Sequence, residues 1–165
     1  MAPSNRMPLL VCFKNLKKID MGKVFKIGIA NIKGNQIQDV NKVEALKGKG
    51  LQNDRKFSEN NQEGRQITLI EIENINYFNN ISKSNIPPLD FRRNIITENI
   101  RLNDLVGKEF FIGNVKLKAH DLCRPCKYLQ EKLKQNNFIK EFLHKGGLCC
   151  EILSNGRINV GDIIK

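Results

Sequence analysis

The stretch at residues 90–117, DFRRNIITENIRLNDLVGKEFFIGNVKL, decides the fold class of this sequence. Two arginines lead into the apolar run NIIT, which is typical of a strand. A turn follows at Gly107, and EFFI and VKLKA then flank Gly113–Asn114, a two-residue turn that favours a β-hairpin. Successive short strands with no helix between them predict a mostly β fold.

The rest of the chain continues this pattern. KVFKIGI, VEAL and QITLIE are further strand candidates, and LCCEI and GRINV predict a second hairpin around Asn155–Gly156. IENINYF and YLQEKLKQNNFIKEFL have the spacing of two or three short helices. Because strand and helix do not alternate, and because closure removes exposed strand edges, we expect a closed β-barrel with peripheral helices.

The chain is predicted to hold one folded domain. Its 165 residues are enough to bury a substantial core, and no apolar run approaches the roughly 18 residues of a membrane helix. Residues 1–20 contain Pro3 and Pro8 and lack a clear period, so we expect an N-terminal arm there and the domain over residues 21–165. No membrane partner is expected.

The composition favours an anionic partner. Lysine and arginine number 28 against 17 acidic residues, giving a formal net charge of +11. Phosphates, oxyanions or nucleic acid would be attracted, although a solvated lysine-rich face is the plainer interpretation. Nucleic acid is disfavoured because aromatic residues make up only 7% of the chain and tryptophan is absent, which leaves few stacking platforms. The five cysteines are odd in number and unevenly spaced, which favours a reducing compartment such as the cytoplasm.

The motif Cys123-Arg-Pro-Cys126 admits several interpretations. Structural zinc would need further ligands from Cys149, Cys150, His120 or His144. A redox pair or two buried thiols are also open. A helix predicted to start at Pro125–Cys126, with Arg124 and Lys127 beside it, would favour the thiolate of Cys126 and make it a nucleophile or metal ligand.

Several arginines flank predicted strands. Arg65 and Arg92 lie where loops enter strands, and Arg55 follows the glycine-rich loop GKGLQND. If these strand ends meet at one rim of a barrel, their guanidinium groups would form a cationic pocket beside a reactive thiol. Ordinary surface ion pairs are the alternative interpretation.

Five stretches in order resemble the MOSC domain, which is named for the C-terminal domain of molybdenum cofactor sulfurase. They are GLQNDRKF, EGRQITLIE, DFRRNIITENIRLNDLVGKEFFIGNVKL, LCRPCKYL and HKGGLCCEILSNGRINVGD. The resemblance covers roughly residues 22–165 and is greatest to the small stand-alone bacterial members. It implies a closed mixed β-barrel with a cysteine in a pocket.

The resemblance also implies site residues. The family's cysteine falls on Cys126, which would ligate molybdenum in a molybdenum cofactor (Mo-molybdopterin) or carry a persulfide. The family's R-x-N motif falls on Arg92 and Asn94, which would reach the pterin or its phosphate. By a looser correspondence, the resemblance implies further cofactor-binding residues at Arg65, Arg55, Arg124 and Gly147. It also implies that Cys149 lies near the pocket.

Two activities follow from the resemblance. One is reduction of N-hydroxylated compounds, a small-molecule reaction that needs an external redox partner because the sequence has no flavin, haem or nucleotide motif. The other is sulfur transfer with a cysteine desulfurase as partner. Longer relatives have an additional N-terminal β-barrel region, so the resemblance here implies transient cofactor binding or a site completed by a partner or a second copy. A basic nucleic-acid-binding barrel and a structural zinc protein are the alternatives.

Overall fold

A computed structural model describes residues 21–165, and the arm predicted at residues 1–20 lies outside them. The described strands are β1 (Lys23–Ile29), β2 (Gln38–Val40), β3 (Lys42–Leu46), β4 (Gly50–Leu51), β5 (Ile67–Glu71), β6 (Ile95–Glu98), β7 (Glu109–Ile112), β8 (Val115–Leu122), β9 (Leu148–Ile152) and β10 (Gly156–Asn159). The α-helices are α1 (Ile72–Ser82), α2 (Lys127–Leu133) and α3 (Phe138–Glu141). Short 3-10 helices span Glu63–Arg65, Pro88–Phe91 and Leu102–Leu105. The predictions of a mostly β fold and of two or three short helices are confirmed.

The strands form two sheets. Seven strands pair in the order β2-β1-β6-β5-β9-β8-β7, and three pair in the order β10-β3-β4. The β5–β6 pair is parallel, whereas the other pairs of the large sheet are antiparallel. The large sheet is therefore mixed, as the family resemblance implied.

The predicted closure of the barrel is not confirmed. The large sheet curls, and its two sides meet the C-terminal residues through one isolated bridge each, from Lys23 to Ile163 and from Ile112 to Ile164. Backbone hydrogen bonds to Val24 and Phe111 accompany these bridges. A closed barrel needs a continuous ladder between its first and last strands. Here one short segment joins the two sides without forming a strand ladder with either, so the sheet is a half-barrel.

The predicted β9–β10 hairpin is wrong. Asn155 does lie in the connection, but β10 leaves β9 and pairs antiparallel with β3, placing Arg157 opposite Glu44. The Asn155 side chain accepts a hydrogen bond from the Lys47 amide at 2.7 Å, and Arg157 Nε donates to Glu44 Oε1 at 2.5 Å. These contacts to β3 draw the last strand into the small sheet.

Two hydrophobic clusters hold the sheet on opposite sides. The larger one lies inside the curl and takes residues from most strands, including Ile27, Leu117 and Cys150. The smaller one is built around Phe78, Phe91, Phe138 and Phe142, whose rings pack between the sheet and the helices α1 and α3. Strand β5 is buried along its whole length because it is covered from both sides.

The β8–β9 pair positions the candidate site. In β8 the residues Val115, Leu117 and Ala119 face the core, and the lysines between them point outward. A register shift between Ala119 and Asp121 bends the strand, and its last pairs join Asp121 to Cys149 and Leu122 to Leu148. Cys123 follows directly, so the carboxyl end of β8 meets the start of β9.

Candidate functional site

A cavity of about 450 Å³ opens where β8 ends and β9 begins. We call it the thiol cavity, and its lining residues are Lys56, Asn61, Gly64, Arg65, Thr68, Arg93, Cys123, Arg124 and Cys149. Four of these carry positive charge, none is acidic, and two are thiols. The volume lies within the range of pockets that bind small molecules.

Two thiols lie in contact in this cavity. The backbone amide of Cys123 donates to the Gly147 carbonyl at 2.7 Å, which fixes Cys123 against the start of β9. Its Sγ then lies 3.0 Å from Cys149 Sγ. The neighbouring Cys150 points to the core, because consecutive residues of a strand face opposite sides.

The environment divides the two thiols into a stronger and a weaker acid. The hydrogen bond from Cys149 lowers the pKa of Cys123 to about 7; burial opposes that shift, and the positive charges of Arg93 and Lys56 add to it. The same hydrogen bond, together with burial, raises the pKa of Cys149 above its usual range. Near neutral pH Cys123 is therefore the thiol that ionises, and Cys149 keeps its proton and donates the hydrogen bond.

Lys56 is the most unusual cation of the cavity. Its Nζ donates to Thr68 Oγ1 at 3.0 Å and to Asn94 Oδ1 at 3.5 Å. Burial, together with repulsion from Arg55 and Arg93, lowers its pKa to about 8. A buried ammonium held by neutral oxygens alone would be stabilised by an anion in the cavity.

Among the described residues, the arginines of the cavity also have no acidic partners. Arg93 Nε donates to the Gly146 carbonyl at 3.0 Å, which holds the guanidinium beside the thiols. Within residues 21–165, no carboxylate oxygen lies within 4.0 Å of a charged nitrogen of Lys56, Arg65, Arg93 or Arg124. Their remaining donors are available to a ligand.

Arg92 and Arg93 face different cavities. Arg92 has a left-handed backbone (φ 62°), which redirects the chain between the two residues. The Arg92 side chain is 8% exposed. Its Nη1 donates to the Asn35 carbonyl at 2.9 Å, and the side chain lines a second cavity with Lys132 and Leu133. Arg93 therefore lines the thiol cavity where the resemblance pointed to Arg92.

Asn94 and Arg55 contact backbone groups and lie outside the cavity lining. The Asn94 side chain accepts from the Thr68 amide at 3.1 Å and donates to the Gly28 carbonyl at 3.2 Å, so it links β5 to β1. Arg55 Nη1 lies 3.5 Å from Asp54 Oδ1, and Arg55 Nη2 donates to the Arg92 carbonyl at 3.4 Å. Neither side chain is part of the cavity lining.

Gly147 has a backbone role. Its φ is +91°, and a Cβ there would collide with the Leu69 carbonyl oxygen. Gly146 is similarly close to the Cys123 carbonyl oxygen. The two glycines let three backbone segments meet where the thiols lie.

Cys126 lies beside the cavity and outside its lining. It is the N-cap residue of α2, one residue before the helix begins, and its side chain is exposed. It is three positions after Cys123, so the two Cα atoms are at most about 10 Å apart. The roles predicted for Cys126, as metal ligand or persulfide carrier, stay predictions.

The cavity thus contains Arg65 and Arg124 of the predicted cofactor-binding residues. The other predicted site residues are not part of its lining; they are Cys126, Arg92, Asn94, Arg55 and Gly147. No sequence pattern indicated a site role for Lys56 or Thr68. Arg93 was not among the predicted cofactor-binding residues, and Cys123 was considered only as part of a zinc or redox motif. The adjacency of Lys56 to Arg55, and of Arg93 to Arg92, was the signal that could have found the two cations.

Within residues 21–165, the structure is a mixed half-barrel with a cavity that combines paired thiols and cations without carboxylate partners. The chain belongs to the MOSC domain family, whose model matches residues 53–165. This match confirms the family resemblance, whereas the domain boundary at residue 21 stays a prediction.

Solved structures share the fold. The YuaD protein from Bacillus subtilis is 20% identical, with a TM-score of 0.76, and the alignment covers 87% of this chain and 94% of that one. YiiM from Geobacillus stearothermophilus is 17% identical, with a TM-score of 0.71 and coverage of 87% and 73%. YiiM from Escherichia coli is 14% identical, with a TM-score of 0.63 and coverage of 86% and 69%. No curated protein matches the sequence.

No helix within residues 21–165 combines the length and the apolar character needed to cross a bilayer.

Proposed function

We propose that this MOSC protein binds a molybdenum cofactor at the thiol cavity, with Cys126 as the metal ligand. The observation that carries the proposal is the group of four cations without carboxylate partners in the described chain, gathered around thiols. Such a group attracts an anionic ligand that has an affinity for sulfur. Molybdopterin carries a phosphate and a dithiolene-bound oxo-metal, which matches both properties.

The residues present fit this cofactor in chemical type. Arg65, Arg93 and Arg124 offer planar guanidinium donors, which suit phosphate and oxo groups. Lys56 adds a buried positive charge, so an anion would recover the cost of its desolvation. The exposed thiol of Cys126 is accessible to a ligand at the cavity edge.

When bound, the cofactor would supply a redox-active metal for the reduction of N-hydroxylated compounds. The protein's own groups would bind and orient: Arg93 is fixed by the Gly146 carbonyl, and Lys56 by Thr68. The electrons would come from a redox partner, and the proposed place of action is the cytoplasm. A partner protein or a second copy could complete the open side of the cavity.

The alternatives receive less support. For structural zinc, the cysteines would have to converge, but Cys126 is exposed and Cys150 lies in the core. Among residues 21–165 the metal-capable cluster is Glu63, His120 and Glu151, which contains no cysteine. Persulfide carriage by Cys126 and nucleic-acid binding have no specific contact in their favour.

Loading the purified protein with molybdenum cofactor tests the proposal. Molybdenum is measured by mass spectrometry and pterin by fluorescence after oxidation. Cys126→Ser is expected to lose molybdenum about tenfold or more relative to wild type, because a metal ligand is removed. Arg93→Gln is expected to lose pterin about tenfold through a missing charge-assisted contact.

Lys140→Gln is the charge-matched control, since Lys140 is exposed on α3 and does not line the cavity. Cys123→Ser is the thiol-matched control. Equal molybdenum in wild type and Cys126→Ser would show that Cys126 is not the ligand. Loss in Cys123→Ser alone would transfer that role to the cavity thiol.

A further inference from the structure

The Cys123–Cys149 pair has a geometry that the proposed cofactor role of Cys126 does not use. The two Sγ atoms lie 3.0 Å apart, and a disulfide bond is about 2 Å long. The thiols are joined through adjacent strands, since Leu122 pairs with Leu148 one step before them. A small movement of either side chain would close a bond.

The surroundings select the kind of reaction partner. Arg93, Lys56 and Arg124 line the cavity, and within the described chain they have no carboxylate partners. A metal cation would be repelled by these charges, whereas a small anion would be attracted. The cavity of about 450 Å³ admits a small molecule.

We propose that Cys123 and Cys149 are a two-cysteine sulfur-exchange centre that takes a sulfane sulfur from a small anionic persulfide and releases it as hydrogen sulfide. Cys123 is the attacking thiol and Cys149 the resolving thiol. This activity goes beyond cofactor binding and does not require Cys126.

The first step transfers one sulfur atom. The Cys123 thiolate attacks the terminal sulfur of the persulfide R–S–SH, forming Cys123–S–SH while the S–S bond of the donor breaks. The donor leaves as the thiolate R–S⁻, held near the cavity cations. The lowered pKa of Cys123 supplies the attacking thiolate at neutral pH.

The second step releases the sulfur. Cys149 attacks Sγ of Cys123, which breaks the Cys123–S–SH bond and forms the Cys123–Cys149 disulfide. The Cys149 proton leaves with the hydrosulfide as hydrogen sulfide, so atoms and charge balance. A dithiol reductant then restores both thiols by exchange, becoming a disulfide itself.

A single-turnover experiment tests this centre. Reduced full-length protein in excess is mixed with glutathione persulfide, and sulfide is trapped with monobromobimane. Peptide mapping locates disulfides and added sulfur. Wild type is expected to release one sulfide per persulfide consumed and to form the Cys123–Cys149 disulfide.

The single-cysteine variants separate the two steps. Cys149→Ser is expected to retain one extra sulfur atom on Cys123 and to release sulfide at least about tenfold more slowly than wild type. Cys123→Ala is expected to do neither, and far-UV circular dichroism checks that it is folded. Lys140→Gln is the control, because Lys140 is exposed on α3 outside the cavity lining, and it is expected to behave as wild type.

Two outcomes would overturn the proposal. One is unchanged sulfide release by Cys149→Ser; the other is extra sulfur found on Cys126 with none on Cys123. Glutathione disulfide is the matched donor without sulfane sulfur, and should close the same disulfide without sulfide. If glutathione disulfide closes the Cys123–Cys149 disulfide but glutathione persulfide yields no sulfide, the proposed sulfur release would also be rejected.

The test is independent of the cofactor proposal. Failure of molybdenum loading in every variant would leave the sulfide measurement unaffected.

Discussion

The two faces of the β8–β9 pair offer a direct comparison. On the core face, Cys150 packs with Leu117 and Ile152 in a cluster that excludes water. On the cavity face, Cys149 contacts Cys123 among cations. Cys149 and Cys150 are adjacent in sequence, yet their thiols serve different purposes because strand residues alternate between faces.

The comparison shows that burial alone does not make a thiol reactive. Burial raises the pKa of Cys150 well above its usual range, and nothing nearby offsets it. Cys123 is also buried, but a hydrogen bond from Cys149 and the charges of Arg93 and Lys56 bring its pKa to about 7. The partners on the cavity face determine the chemistry, whereas packing dominates on the core face.

The largest expected effect concerns the backbone that both faces share. Gly147→Ala should lower the free energy of unfolding by about 4 kcal/mol, since φ is +91° and the new Cβ would meet the Leu69 carbonyl. Urea unfolding measures it. Gly34→Ala is the matched control, because Gly34 has φ +90° and nothing within 4 Å; it should cost about 1 kcal/mol. Equal losses would show that the close approach is unimportant.

The second prediction compares the two faces through one substitution. Cys150→Ser should cost about 2 kcal/mol of unfolding free energy, because a hydroxyl enters the apolar core. Cys149→Ser should cost less than about 0.5 kcal/mol, since its side chain lines an open cavity. Thermal or urea unfolding of both variants gives the difference. A similar loss in both would remove the distinction between the faces.

Sequence patterns predicted much of this architecture. Alternation in VKLKA and the Gly113–Asn114 turn predicted the β7–β8 hairpin, and the apolar run before IENINYF predicted β5 followed by α1. These features are local, so the sequence carries them. The β9–β10 error had a distant cause: β10 pairs with β3, more than a hundred residues earlier in the chain.

The site was predictable only in part for the same reason. Strand alternation placed Cys149 and Cys150 on opposite faces. The contact between Cys123 and Cys149 depends on the β8–β9 register and on the shift between Ala119 and Asp121, which no local pattern encodes. Likewise, the left-handed backbone of Arg92 decides which arginine enters the thiol cavity.

The third prediction concerns the acidity of Cys123. In a Cys126→Ser background, alkylation of Cys123 by iodoacetamide should rise with pH around a midpoint near 7. Cys149→Ala removes the hydrogen-bond donor, so the midpoint should move to higher pH, and the rate at pH 7 should fall about tenfold. Mass spectrometry of the Cys123 peptide follows the reaction. An unchanged midpoint would show that Cys149 does not set this pKa.

The smallest expected effect is a gain in stability on the cavity face. Burial lowers the pKa of Lys56 to about 8, so the folded protein disfavours the ammonium that the unfolded chain keeps up to the ordinary lysine pKa of 10.5. This penalty is complete below pH 8 and fades as pH rises towards 10.5.

Lys56→Met should therefore increase the unfolding free energy at pH 7 by up to about 1 kcal/mol, with a smaller gain at pH 9.5. The same variant should raise the alkylation midpoint of Cys123, because a nearby positive charge is lost. Lys140→Met controls for a surface lysine. A loss of stability at pH 7 would mean that the contacts of Lys56 to Thr68 and Asn94 outweigh its desolvation. If Lys56→Met is more stable and its Cys123 ionises only at higher pH, then Lys56 lowers the stability of the cavity face and favours the Cys123 thiolate.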